Sequence, residues 1–331
     1  MHRSGAPRER QRAGTSRVTR DPMSATVGAD PECGGADLPS APSAEAKHTS
    51  VCICTYKRPQ LLLRLLTALV AQDPRGRFTY SVVVVDNDHL ESARAMVSDF
   101  ALTAPIPIRY CVEPEQNIAL ARNKAVANAS GDFIAFIDDD EEPFPDWLVQ
   151  LVQAIERYAA DGVLGPVIPR FLTAPPEWVV RGRFFDRPSP PTGTWLKWKQ
   201  TRTGNVLLRK GIVGDQATQF RPECGRGGED TDLFRRLIAS GRRFVWCAEA
   251  KVYEAVPGER LCRTYLLQRA LRRGASPANQ GWPVLVSLLA IPVYGLALPV
   301  LLVFGQHVFM RYLIKECDHL GRLLTFLGGK W

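Results

Sequence analysis

The stretch Val82-Val83-Val84-Val85-Asp86 leaves this chain few folds to choose from. A strand that is apolar at successive positions has no polar face to offer to water, so it belongs in a sheet covered on both sides. Apolar strands of the same kind recur at Ser50 to Thr55, near Ile108 to Val112, and at Phe133 to Ile137. Helical patterns lie between them. Pro59 opens the first, with Leu61, Leu62, Leu65, Leu66 and Leu69 on one face. A second is expected near Glu91 to Phe100, and a third near Ile118 to Ala129 with Asn117 as its cap. Strand and helix in alternation predict an α/β domain, a mostly parallel sheet sandwiched by helices. Ligands of such sheets bind at the carboxyl ends of the strands.

Three strand ends then share one edge and can build a single site: Thr55-Tyr56-Lys57-Arg58, Asp86-Asn87-Asp88 and Asp138-Asp139-Asp140. The acid triplet is the most informative. Adjacent carboxylates repel unless a cation or several donors lie between them, and hard oxygen ligands suit Mg²⁺ or Mn²⁺ rather than zinc. Acids after a strand also occur as plain solvated loops. Residues 170–203, rich in Pro, Arg and Trp (Trp178, Trp195, Trp198), are expected to form a long loop over this edge, with the aromatic faces serving sugar rings or core packing. Regular structure resumes at Gly204 to Leu208. The run Gly227-Gly228-Glu229-Asp230-Thr231-Asp232 then sets acids at the start of a helix whose apolar positions are Leu233, Phe234, Leu237 and Ile238.

The net charge of +8 is unevenly placed. Residues 1–47 carry seven Lys/Arg and six Asp/Glu, residues 48–259 twenty-six of each, and residues 260–331 nine against two. A neutral body with a basic tail argues against nucleic acid as a partner. The eight cysteines include no CxxC pair, so neither zinc nor disulfides are indicated, which fits a reducing compartment. Residues 1–47, rich in Arg, Pro, Gly, Ala and Ser, are expected to be disordered, and translation starts at Met1 or Met23.

Residues 274–310 contain no Lys, Arg, Asp or Glu, and 283–305 is apolar over enough length to cross a bilayer core of about 30 Å. Pro292 and Pro299 would kink such a span, so a re-entrant or embedded segment is the alternative, with a buried soluble helix as a third. Upstream, Arg260, Arg263, Arg269, Arg272 and Arg273 suit the anionic-lipid side, which puts the body in the cytoplasm and the segment in the inner, cytoplasmic membrane. Downstream, Arg311 to Leu327 is amphipathic and suits a membrane surface.

These residues resemble a family, the inverting GT-A fold glycosyltransferases of family 2. The carriers are "VCICTYKRP", "VVVVDND", "NIALARNKAVANASGDFIAFIDDDEEPFPDWL" and "GGEDTDLFRRLIASGRRFVWCAEAKVY", in that order. The tail "VYEAVPGERLCRTYLLQRALRRG" followed by an apolar segment resembles the branch that assembles bacterial exopolysaccharide on a lipid carrier. The resemblance implies a GT-A domain over 48–259 and a membrane-associated part over 260–331. It implies transfer of a hexose from a nucleotide sugar, with UDP as the nucleotide, to a lipid-diphosphate-linked saccharide.

The resemblance also assigns residues. Thr55, Tyr56 and Arg58 contact the nucleotide, Asp86 accepts a hydrogen bond from uracil, and Arg122 makes a base- or phosphate-side contact. Asp140 ligates Mn²⁺ or Mg²⁺, with Asp138 or Asp139 on ribose or metal-bound water. Asp230 is the base that takes the acceptor proton, and Glu229 orients the acceptor or that base. Many relatives carry a metal-ligating His where this chain has Glu254, so either Glu254 binds the ion or fewer protein ligands do. Arg269, Arg272 and Arg273 reach donor or lipid diphosphate, or face solvent and lipid. Two other readings stand beside this one: a non-catalytic scaffold of a polysaccharide assembly complex, and a sugar nucleotidyltransferase of the same fold. The second is expected to show a Gly-rich, Lys-containing N-terminal loop, and "CTYKRP" is not one.

Overall fold

The computed structural model describes residues 46–225, 227–276 and 284–327. The extension expected to be disordered lies outside the described residues, apart from its last two. The sheet expected from the apolar strands is present. In chain order β1 (Lys47–Thr55), α1 (Pro59–Val70), β2 (Phe78–Asp86), α2 (Arg94–Ala101), β3 (Ile108–Val112), α3 (Ile118–Asn128) and β4 (Phe133–Phe136) form its parallel half. After them come β5 (Glu141–Pro143), α4 (Trp147–Arg157), β6 (Gly162–Leu164), β7 (Val167–Phe171), α5 (Glu177–Gly182) and β8 (Val206–Arg209). The chain continues through α6 (Glu229–Ala239), β9 (Phe244–Trp246), β10 (Val252–Val256), α7 (Arg263–Ala275), α8 (Val284–Val303) and α9 (Gln306–Phe326).

Seven strands lie in the order β3-β2-β1-β4-β8-β6-β9, parallel except for β8, which runs antiparallel to both of its neighbours. Both faces are covered. Alternate residues of β1 point to opposite faces. Val51 and Ile53 pack with Leu62, Leu65, Leu66 and Leu69 of α1 and with α4, while Cys52 packs with α3 and α6. Each fully buried Leu or Val contributes about 1.5–3 kcal/mol relative to exposure. α3 starts where Asn117 accepts backbone N–H bonds from Ala119 at 3.0 Å and Leu120 at 3.4 Å, the cap expected from sequence.

A smaller sheet, β5-β10-β7, sits beside the large one. Asn205 ties the two together from a fully buried position. Its amide donates to Pro166 O at 2.9 Å and Ala250 O at 2.7 Å, and its oxygen accepts from Trp147 Nε1 at 2.7 Å. Residues 170–203 are not a structureless loop. They hold α5, and Trp195 bridges to Val245. Trp178 packs on Phe184 at 5.5 Å between centroids, so at least part of the aromatic content is packing.

The C-terminal helices fold back onto this body. α9 packs against α7 so closely that a Cβ added to Gly274 would lie 2.1 Å from Asp318 O, and one added to Gly321 2.2 Å from Leu271 O. Arg273 Nε donates to Asp318 at 2.8 Å across the same contact, and Arg311 reaches Gly182 O of α5 at 3.4 Å. α8 runs antiparallel along α9, with His319 3.1 Å from Ser287 and the ring of Tyr294 5.9 Å from that of Tyr312. It stays helical through Pro292 and Pro299 and leaves its outer side chains bare, Leu296 82% and Val303 84% exposed.

Candidate active site

The register of the parallel strands brings the expected residues together. Thr55 pairs with Asp86 across β1 and β2, and Cys52 with Phe136 across β1 and β4, so the three chain exits lie side by side. Lys57 then takes a φ of 56°, in the left-handed region that side-chain-bearing residues seldom adopt, and turns the chain sharply from β1 into α1. A cavity of about 1210 Å³ opens over this edge. Thr55, Tyr56, Arg58, Asn87, Asp138, Asp139, Asp140 and Glu254 line one side of it, and Arg260, Arg269, Arg272, Ser276 and Thr325 line another.

The acid triplet is held by basic side chains. Asp139, almost fully buried, accepts from Thr55 Oγ1 at 2.8 Å and Arg58 Nη1 at 3.0 Å. Burial nevertheless pushes its carboxyl up to about 6, against the pull of Arg58 and Thr55. Asp140 pairs with Arg260 at 2.9 Å and Arg58 at 3.6 Å. Asp138 faces the cavity half exposed, 3.6 Å from Arg122, and the neighbouring Asp140 charge works against that arginine to disfavour its ionised form. Behind it Glu141, whose Oε2 accepts from Asp138 N at 3.1 Å, is also raised by burial first and the Asp138 charge second.

Arg122 is buried and bonds directly to Glu229. The other Glu229 oxygen is buried and has no hydrogen-bond partner among the described residues. Asp230, at the start of α6, is half buried, and its Oδ1 accepts from Thr231 N at 2.6 Å. Neither Glu229 nor Asp230 lines the cavity, but Gly227, at the turn before α6, does. Asp86 is fully buried below the edge and accepts from Ala93 N at 2.8 Å, Tyr110 OH at 2.9 Å and Asp88 N at 3.1 Å. The three tryptophans named above are absent from the cavity wall.

Two arginines enter the site from places that sequence pattern does not mark. Arg187 pairs with Glu254 at 2.5 Å, from a segment whose composition drew attention to its aromatics. Arg260 reads in sequence as a lipid-side charge. In the structure it turns onto Asp140 and, at 3.3 Å, onto Glu254, because the turn before α7 packs against β10 and these acids are the nearest counter-charges. Arg202 lies deeper, with Nε and Nη2 buried and unbonded among the described residues, and burial pulls its guanidinium down to about 10. Among the described residues no group of three acidic, His or Cys side chains converges as a ready ion site.

A seven-stranded, mostly parallel sheet with nucleotide-site candidates and acids at its carboxyl edge defines a GT-A-like α/β fold. Solved structures support that class. The S. aureus TarS 1–349 structure with UDP-GlcNAc superposes with a TM-score of 0.51 over 86% of this chain and 93% of that one, at 14% identity, a likeness of fold alone. The model "Glycosyl transferase family 2" matches residues 50–218. The succinoglycan biosynthesis protein ExoM of Rhizobium meliloti is 36% identical over 234 residues, 70% of this chain and 74% of that protein. A glucosyl-dolichyl phosphate glucuronosyltransferase of Haloferax volcanii is 31% identical over 252 residues, 69% and 75% of the two chains. The chain belongs to glycosyltransferase family 2.

Proposed function

We propose that this glycosyltransferase moves a hexose from a UDP-sugar, with inversion at the anomeric carbon, onto a lipid-diphosphate-linked saccharide during cell-surface polysaccharide assembly. The observation that carries the reading is the gathering of Thr55, Tyr56, Arg58 and the Asp138 to Asp140 acids on one wall of a large cavity at the sheet's carboxyl edge. The names of similar proteins support the finer points. ExoM is a succinoglycan biosynthesis protein, and TarS has been solved with UDP and with UDP-GlcNAc.

Thr55, Tyr56 and Arg58 receive the nucleotide. Asp86 acts from beneath by fixing the turn after β2, and Arg122 by anchoring Glu229, the first residue of α6. Asp230 takes the acceptor's hydroxyl proton as the new C–O bond forms. The bond to the nucleoside diphosphate breaks, and its electron pair leaves on the phosphate oxygen.

Asp138 and Asp140 would hold Mg²⁺ or Mn²⁺, because both present hard carboxylate oxygens to the cavity, where the ion would share them with Arg122 at 3.6 Å from Asp138 and Arg260 at 2.9 Å from Asp140. Such an ion, when bound, supplies positive charge to the departing diphosphate.

α7 to α9 hold the catalytic domain, 48–259, on the cytoplasmic side of the inner membrane. α8 lies in the plane of one leaflet. Its partner α9 carries Lys315, Glu316, Asp318 and Arg322 and is packed on α7 and α5, so the pair cannot cross the hydrocarbon together.

The test is nucleoside diphosphate release by the detergent-solubilised protein, supplied with membrane lipid extract and a panel of UDP-, GDP- and dTDP-sugars, with and without chelator. Release from a UDP-hexose that stops on chelation is expected. Release from another nucleotide class alone would overturn the donor, and a full rate after chelation would overturn the metal.

A further inference from the structure

We propose that the cavity contains a second anion subsite, built by Arg269 and Arg272 of α7, that seats the diphosphate of a lipid-anchored acceptor. The inference rests on the proposed function and adds the place where the acceptor's charged group is held.

The cavity is larger than one small ligand needs. Pockets for single small molecules span about 300–1,000 Å³, and this one, at about 1210 Å³, runs from the β-strand ends to α7 and α9. Its cations fall into two sets. Arg58, and Arg260 reaching across from the other wall, are paired with the strand-side acids Asp139, Asp140 and Glu254. Arg269 and Arg272 line the cavity too, and among the described residues no carboxylate pairs with either. Three positions apart on a helix, they share a face. Two guanidinium forks on one face match the oxygens of a diphosphate bidentately. Burial lowers the pKa of Arg269 despite the opposing pull of Tyr265 and Glu254, and an anion placed beside it would offset that cost.

The position of this pair favours an anion with an apolar tail. Ala275 and Ser276, at the end of α7, line the same part of the cavity, and Thr325 of α9 joins them, its Oγ1 3.4 Å from Ala275 O. The antiparallel register sets Ser287, in the first turn of α8, against His319 of α9, two turns from Thr325. The apolar helix therefore begins close to the arginine end of the cavity. Its window of mean hydropathy 2.3 is only 6% buried, which leaves a surface for a polyprenyl chain or the leaflet that contains it.

The diphosphate of a free nucleotide has the same chemistry, so the experiment separates the two sources. Binding of farnesyl diphosphate and of UDP is measured on the full, detergent-solubilised chain, on Arg269→Gln/Arg272→Gln, and on Arg269→Lys/Arg272→Lys. The Gln variant is expected to lose about 10- to 100-fold in farnesyl diphosphate affinity, the size of lost charged hydrogen bonds, with UDP affinity unchanged. The Lys variant is expected to recover part of the loss, which excludes misfolding as its cause. Unchanged farnesyl diphosphate binding would overturn the proposal, and an equal loss for UDP would assign the arginines to the donor. Suppression of the wild-type binding by phosphatidylglycerol vesicles would also overturn it, since the arginines would then read general lipid charge. Failure of the transfer reading itself shows up separately, as absence of nucleoside diphosphate release while arginine-dependent binding persists.

Discussion

At the scale of single residues the site is organised by arginines more than by its acids. Arg122 is the clearest case, a buried guanidinium with Glu229 as its bonded partner and Asp138 at 3.6 Å. Arg122→Met removes the counter-charge and leaves Glu229 buried, where one oxygen already lacks a partner. The expected cost is about 3–5 kcal/mol in denaturant unfolding followed by tryptophan fluorescence. A loss below about 1 kcal/mol would mean that Glu229 is held by something else. The acids of this site were legible in sequence, because a strand that runs into three carboxylates is a local pattern. Arg187 and Arg202 were not. They come from a segment without periodicity, and only the pairing of distant elements brings them to Glu254 and the acids around it.

At the scale of elements, α8 and α9 make the sharpest prediction. In the arrangement proposed above, their antiparallel contact, with α9 strapped to α7 across Gly274 and Gly321, would keep both ends of α8 on the catalytic side. A reporter fused to the C-terminus is expected on the same side of the membrane as the catalytic domain, with the protein still retained by membranes. A reporter on the opposite side would show that α8 spans and that α9 leaves α7. Sequence carried the length and apolarity of α8, but not its direction of travel, which depends on the Gly-mediated approach of two helices. The strands and helices from β1 to β4 were likewise legible, since each has its own period and, at α3, its own cap. The small sheet was not, because β5 is the three-residue stretch Glu141–Pro143, too short and polar to show a pattern.

At the scale of the whole molecule, the parallel sheet gathers the strand-end residues on one edge, the turn before α6 reaches the cavity through Gly227, and α7 and α9 contribute its other wall. The measurement that tests this account most directly is transfer by Asp230→Asn, with UDP-sugar affinity measured in parallel. Loss of a general base predicts a fall in kcat of about 10²–10⁴-fold, with donor affinity within about twofold of wild type. Full transfer by the variant would contradict the account, because proton removal would then lie elsewhere.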